Sequence, residues 1–400
     1  MGFTRRSFLG AGAAAVLWPR EAASAAAARS RSVPRDRFDP WVEVLAENVL
    51  FNVGQVRRLT EGRPILAVVK NNAYGLGLVS TARLLEPLEA IAGFAVVKAE
   101  DAVALRDAGL RKPVLLMGLC SPDEREEMVA REVQLSLYTD DAVEWVIPLA
   151  AKTGRPVSAH VYLDTGLGRM GMPYHRARPW LEKLTRLEGL RIEGTFMAFT
   201  EEIEFDREQL DRFRGLVDSM KGANLGRLHA ASSNGVFHLP EAHLDLVRPG
   251  IALYGAYPNR FEEEKAKAEL RAAVRLRCRV VRVERLRPGD SAGYGRKYVA
   301  KEPTWLATLP AGHVDGVPRP AVEGARVRIG ERNYPLVGAV SASHSLVAIG
   351  ADRTVSIGDL ATLLGPDDEA VHPNVLAAAT GVSVYDLLMH LDPGLPRILV

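Results

Sequence analysis

Lys70 is the residue best placed by its neighbours to act as a nucleophile. The apolar run Ile65 to Val69 reads as a short buried strand, so Lys70 emerges at its C-terminal end, just before Asn71-Asn72-Ala73-Tyr74-Gly75. In a (β/α)8 barrel that end of the strands is the catalytic rim. A low-dielectric site there lowers the pKa of an amine and leaves a free base able to attack an aldehyde. A solvated surface lysine is the competing reading of these residues taken alone. Metal binding has no comparable signal: the nine histidines are scattered without ligand spacing, and Cys120 and Cys278 lie singly in apolar or alternating runs.

Ala67-Val68-Val69-Lys70-Asn71-Asn72-Ala73-Tyr74-Gly75-Leu76 resembles the pyridoxal 5'-phosphate (PLP) lysine motif of the alanine racemase family. Four further blocks agree in order. Asp164-Thr165-Gly166-Leu167-Gly168-Arg169-Met170-Gly171 is similar to the family's DTGxGRxG segment, and Leu246 to Gly255 to its VRPGIxLYG segment. Gly293-Tyr294-Gly295-Arg296 and Gly312 to Arg319 resemble the SYGxT/R and GYxDGxPR segments, the latter with one substitution. The resemblance runs from about Trp41 to the C-terminus.

The resemblance implies a PLP-dependent amino-acid racemase acting by two opposed bases. Lys70 would hold the cofactor and serve one face of Cα; Tyr294, from the other subunit of a homodimer, would serve the opposite face. A phenol of ordinary pKa about 10 is ionised only on the order of one part in a thousand at pH 7, so Tyr294 needs a stabilising environment. Arg248 matches the arginine that faces the pyridine nitrogen, where barrel-type PLP decarboxylases carry an acidic residue. Tyr74, Ser233 and the backbone N–H groups of Gly250 and Ile251 would bind the phosphate. Arg169 and the backbone at Ala342 would bind the substrate carboxylate.

Several positions depart from the family pattern. Ala198 stands where a histidine links the Arg248 equivalent to the catalytic tyrosine, and Tyr162 where many members carry a carbamylated lysine. Each unit by which the Tyr294 pKa fails to fall costs about 1.4 kcal/mol in access to phenolate. Ser341-Ala342-Ser343-His344 replaces a CMDQ-like segment. His313 and Pro393 replace tyrosines that narrow the entrance, so a wider gate admitting substrates larger than alanine is expected. The same losses fit a degenerate member that binds PLP or an envelope partner without efficient racemisation, and a non-racemising PLP enzyme such as a decarboxylase is a further alternative.

The elements that must hold these groups follow from periodicity. Apolar runs near residues 65–70, 93–97, 114–117, 134–138, 159–164, 194–199, 228–231 and 244–247 alternate with amphipathic stretches, as parallel βα units do. Eight such strands fit a barrel, although periodicity alone suits a doubly wound sheet nearly as well. From about Ala272 the pattern becomes that of half-buried strands: Val274-Arg275-Leu276-Arg277-Cys278-Arg279-Val280 alternates apolar with basic. The expected architecture is α/β, a (β/α)8 TIM barrel over residues 41–272 followed by a C-terminal β-rich domain over 273–400.

Composition sets the outer limits. Charged residues are 25% of the 400, hydrophobic ones 47%, and the formal charge is +2, so there is no basic stripe for nucleic acid. Thr4-Arg5-Arg6-Ser7-Phe8-Leu9 followed by the apolar run Ala11 to Trp18 and an alanine-rich tail resembles a twin-arginine export signal over residues 1–28, with a linker over 29–40. Export to the periplasm or beyond is expected. The apolar core of that segment is too short for a mature membrane span.

Overall fold

The computed structural model describes residues 37–400; the expected export segment and most of the linker lie outside the described residues. Seven parallel strands, Ile65–Val68, Ile91–Val96, Val114–Leu116, Val133–Leu137, Val157–Asp164, Leu190–Phe196 and Arg227–His229, lie side by side in sequence order. Helices return the chain between them, as parallel pairing requires. Strands such as Val133–Leu137 are buried along their whole length, because helices cover the outer face and side chains fill the inner one.

The eighth position is filled without a regular strand. The expected strand at 244–247 is irregular, with Leu244 at φ 48° and Pro249 lacking an N–H, yet it hydrogen-bonds to both neighbours. Asp245 N donates to Leu228 O at 3.0 Å and Arg248 N to Ala231 O at 2.8 Å on one side. On the other side Leu66 N donates to Val247 O at 2.9 Å and Val68 N to Pro249 O at 3.0 Å. This closes the barrel and puts Arg248 on its C-terminal rim.

The β domain is built on a nine-stranded sheet that includes Val274–Arg279, Thr304–Leu309, Arg326–Ile329, Ser345–Gly350 and Leu360–Leu364. Trp41–Val44, assigned to the barrel by the sequence pattern, belongs instead to this sheet. It pairs antiparallel with Val274–Arg279 and parallel with Arg397–Leu399. That pairing explains the alternating basic run: Arg275 and Arg277 reach Glu43 at 3.2 and 3.4 Å and Asp367 at 2.9 and 3.2 Å. Glu43 is 2% exposed, and such a charge persists only when paired.

The short helix Val384–Met389 docks the β domain on the segment after Lys70. Asn71 Nδ2 lies 3.2 Å from Met389 Sδ, and Arg397 Nε donates to Gly75 O at 2.9 Å. Gly75, at φ 90°, tolerates no side chain here, since a Cβ would sit 2.2 Å from Leu388 O. No helix among the described residues is long and apolar enough to cross a membrane.

Candidate active site

Lys70 follows its strand into an unusual turn. Asn71, Asn72, Ala73 and Tyr74 all have φ between 50° and 57°. Asparagine visits that region readily, but for Ala73 and Tyr74 it costs roughly 1–2 kcal/mol each. Bonds from Ala73 N to Val69 O at 2.9 Å and from Leu78 N to Asn72 Oδ1 at 2.9 Å hold the turn. Its effect is to turn Tyr74 inward, where its ring meets Gly250 and Tyr254. Burial, then the Arg169 guanidinium, push the Lys70 amine below the usual lysine value, with Glu201 opposing them.

Tyr74 packs against Tyr254 with ring centroids 5.1 Å apart, and its hydroxyl has no hydrogen-bond partner among the described residues. It faces Gly250 so closely that a Cβ there would lie 2.3 Å from the hydroxyl. Ser233 Oγ accepts from Gly250 N at 3.0 Å and from Ala252 N at 3.2 Å, leaving its own hydrogen free to point at an anion. The Gly250 N–H, expected on the phosphate, is therefore turned to Ser233. The Ile251 N–H has no backbone or side-chain acceptor among the described residues, and Asn234 Oδ1 is buried without a partner. A glycine cradle with free donors at its edge fits a phosphate.

Arg248 is 6% exposed and lies over the Phe196 ring at 5.1 Å. Its Nη2 donates to Met197 O at 2.6 Å and Ala230 O at 3.1 Å, and its Nη1 to His229 Nδ1 at 2.8 Å. Beyond it, His229 Nε2 and His160 Nδ1 are 2.8 Å apart, and His160 Nε2 lies 3.1 Å from Gln134 Oε1. Burial lowers the Arg248 pKa to about 10, still cationic at neutral pH. Burial, then neighbouring arginine charge, lowers His160 to about 3 and holds His229 well below the usual histidine value, so both imidazoles are neutral.

Arg169 stands on the loop after Val157–Asp164. Asp164 Oδ1 shapes that loop by accepting from Gly166 N at 2.9 Å and Gly168 N at 3.2 Å. Arg169 is exposed and close enough to act electrostatically on Lys70. Glu201, at φ 69°, joins the same rim; desolvation and Asp206 raise its carboxyl pKa. Tyr162 stacks on Phe196 at 4.2 Å, and Ala198 offers its carbonyl to Gln209 Nε2 at 3.2 Å.

Tyr294 and Ala342 belong to a second group. They line a cavity of about 430 Å³ with His313, Arg319 and Ser341, all residues of the β domain. Tyr294 is 78% exposed, between Gly293 and Gly295 at φ 77° and 69°. Arg319 Nη2 reaches His313 Nε2 at 3.0 Å, and the Ala342 carbonyl accepts from Val314 N at 3.1 Å.

Sequence reasoning passed over His160, His229, Gln134, Glu201 and Tyr385. The two histidines share inward strand positions, which is a usable signal once the barrel register is known. Tyr385 comes from the docking helix and lies 6.2 Å, ring to ring, from Tyr74.

Comparison with known proteins accords with this arrangement. Residues 45–258 match the alanine racemase N-terminal domain family and residues 273–399 the alanine racemase C-terminal domain family. The alanine racemase of Carboxydothermus hydrogenoformans is 32% identical over 90% of this chain and 99% of its own. That of Syntrophobacter fumaroxidans is 33% identical over 87% and 94%. Among solved structures, the alanine racemase of Clostridium difficile 630 superposes with a TM-score of 0.83 at 26% identity, covering 90% of this chain and 95% of that one. The enzyme from Streptomyces lavendulae gives 0.83 at 27%, covering 92% and 98%. With both domains matched in order and the lysine, arginine and glycine positions of the motifs gathered on one barrel rim, the chain belongs to the alanine racemase family.

Proposed function

We propose that this PLP-dependent amino-acid racemase works as a homodimer in which Lys70 of one subunit and Tyr294 of the partner subunit face opposite sides of the substrate Cα. The observation that carries this reading is the division of the site: the barrel rim gathers Lys70, Arg169, Ser233 and Arg248, while Tyr294 stands 78% exposed beside a cavity lined only by the β domain. An aromatic residue so exposed, on a turn shaped by two left-handed glycines, is suited to insertion into another subunit.

When bound, PLP supplies the electron sink that makes the substrate α-proton acidic. Everything else falls to the chain. Tyr74, Ser233 and the Ile251 N–H would hold the phosphate. Arg248 has only N–H donors and keeps its proton at neutral pH, so beside the pyridine nitrogen it would offer a donor and no acceptor. Arg169 takes the substrate carboxylate and its charge also favours the free amine of Lys70. Lys70 then exchanges a proton at one face of Cα and Tyr294 at the other. Because Ala198 has no side chain to bridge Arg248 and the phenol, Tyr294 relies on its own surroundings, and the basic groups beside it are Lys297, His313 and Arg319.

Two expectations join this proposal. Export by a twin-arginine route is supported by Arg5-Arg6 and the apolar run after them; a Lys-Lys replacement that left export intact would remove that support. A wider gate is supported by His313 and Pro393, and is tested by relative turnover of lysine, arginine and methionine against alanine.

The shared site is tested by complementation. Lys70→Ala and Tyr294→Phe chains, each unable to racemise alone, are co-refolded in equal amounts. Half the dimers are then mixed, each with one intact site, so conversion of L-alanine to D-alanine returns to about a quarter of wild type. No recovery, with mixed dimers demonstrated, would refute the shared site.

A further inference from the structure

The opposite end of the barrel holds a second cavity. It has a volume of about 370 Å³ and opens at the N-terminal ends of the strands Val114–Leu116, Val133–Leu137, Val157–Asp164 and Leu190–Phe196. Four arginines line it, Arg106, Arg111, Arg155 and Arg191, against one carboxylate, Glu132. Arg106 spends four of its five N–H groups as part of the wall, donating to the carbonyls of Arg131, Leu110, Lys112 and Glu132 at 2.8–3.0 Å. The other three keep donors to spare. Arg155 uses one nitrogen on Glu132 Oε1 at 2.9 Å, and Arg191 binds Glu193 and Ser158 Oγ, leaving Nη1 free. Arg111 makes no side-chain hydrogen bond or ion pair among the described residues, although its backbone N–H is held by Glu86.

Gln134 is the second, independent observation. It is 9% exposed and lines the same cavity; its Oε1 faces His160, and its amide nitrogen has no partner among the described residues. The hydrogen-bond logic fixes why. Arg248 can only donate, so His229 Nδ1 accepts and its proton resides on Nε2. His229 then donates to His160 Nδ1, His160 donates from Nε2 to Gln134 Oε1, and the amide N–H groups of Gln134 are turned toward the cavity. Every bond of this buried chain runs one way, from the active-site guanidinium to the far cavity. What is lacking at its end is an acceptor.

We propose that the cavity binds a small polyanion bearing phosphate or carboxylate groups, held by the Gln134 amide and the forks of Arg111, Arg155 and Arg191, and that its binding is felt at Arg248 through His229 and His160. Planar guanidinium forks suit both anions. An acceptor on Gln134 polarises each bond of the chain in the same sense and so changes the field Arg248 presents to the cofactor. The binding half stands on the cavity alone; the coupling half rests on the proposed reading of Arg248.

The test uses the holoenzyme, so that PLP fills its own phosphate site, at constant ionic strength. Pyrophosphate and citrate are titrated calorimetrically, with chloride as control, and the rate of PLP release is followed with and without each. Saturable binding of one anion per chain is expected, weakened by about tenfold or more in Arg155→Ser/Arg191→Ser, whose side chains are exposed and safe to alter, and in Gln134→Leu. The preferred probe distinguishes a phosphate from a carboxylate ligand. The PLP release rate should change by about fivefold on binding in the wild type, and not in His160→Phe, which keeps the anion site. Binding no tighter than chloride, or unaffected by the arginine pair, overturns the site. Binding that leaves PLP release unchanged overturns the coupling. Anion binding in a holoenzyme without α-proton exchange would defeat the racemase reading and leave the site standing.

Discussion

Replacing Gly250 by alanine tests the cofactor cradle most directly. Gly250 has φ −119°, so the backbone does not demand glycine through a left-handed conformation; the constraint is space. A Cβ would meet Tyr74 Oη at 2.3 Å, Cζ at 2.6 Å and Cε2 at 2.9 Å. Ordinary contact needs about 3.5 Å, so the ring must retreat by roughly 1 Å. It has little room: Tyr74 is buried, Tyr254 lies 5.1 Å away, and its own backbone is fixed by the left-handed turn. Overpacking of this kind costs about 1–3 kcal/mol of stability. Displacing the hydroxyl from a charged phosphate costs about 1.5–3 kcal/mol of cofactor affinity, roughly ten- to a hundredfold in Kd. The assay is urea unfolding of the apoenzyme beside PLP titration. Tyr74→Phe should lower affinity alone, since its hydroxyl has no protein partner, and Gly250→Ala should cost less affinity in that background. A Gly250→Ala protein with wild-type affinity and unfolding midpoint would refute the argument.

Four further outcomes follow from the same geometry. Tyr294→Phe should leave the unfolding midpoint unchanged, and in D₂O should preserve α-proton exchange for one alanine enantiomer while slowing it about a hundredfold or more for the other. Arg169→Gln removes a charge that disfavours protonated Lys70, so the Lys70 pKa rises and the acid limb of the exchange-rate profile moves to higher pH; an unmoved limb would count against it. Glu43→Ala leaves Arg275 and Arg277 short of their buried partner and should cost about 3–5 kcal/mol in urea unfolding. His160 and His229 stay neutral in the fold but protonate when unfolded below about pH 6.5, so the unfolded state binds more protons and stability falls as pH drops from there toward about 3. Each contributes about a tenfold change in the unfolding constant per pH unit, and His160→Gln should flatten the slope by one such factor.

The placement of the barrel-rim residues was legible because they sit in short local motifs: Lys70 to Gly75, Asp164 to Gly171 and Leu246 to Gly255 each carry their geometry in a few positions. The alternating βα pattern likewise located seven barrel strands to within a few residues. What escaped was whatever depends on pairing across the fold. The segment at 245–249 takes the place of a strand through bonds to two neighbours, although proline and a left-handed leucine spoil its own pattern. Trp41–Val44 falls inside the 41–272 stretch assigned to the barrel, and only its partners place it in the other domain. Gln134, His160 and His229 come from different strands, and an isolated histidine in an apolar run gives no hint that parallel register will stack it on another.

The sheet that joins Trp41–Val44 to Arg397–Leu399 also has a consequence for the order of folding. Val42 finds Arg397 more than three hundred residues later, and Val274–Arg277 lies on its other side. During synthesis the barrel's contacts are sequential and can form as the chain emerges, whereas the first strand must wait for the last. Until Arg397 arrives, Gly75 also lacks the guanidinium that pins the turn after Lys70. A stalled or clipped chain would thus present a built barrel with a loose lysine turn, and only completion of the final strand would lock the two domains together.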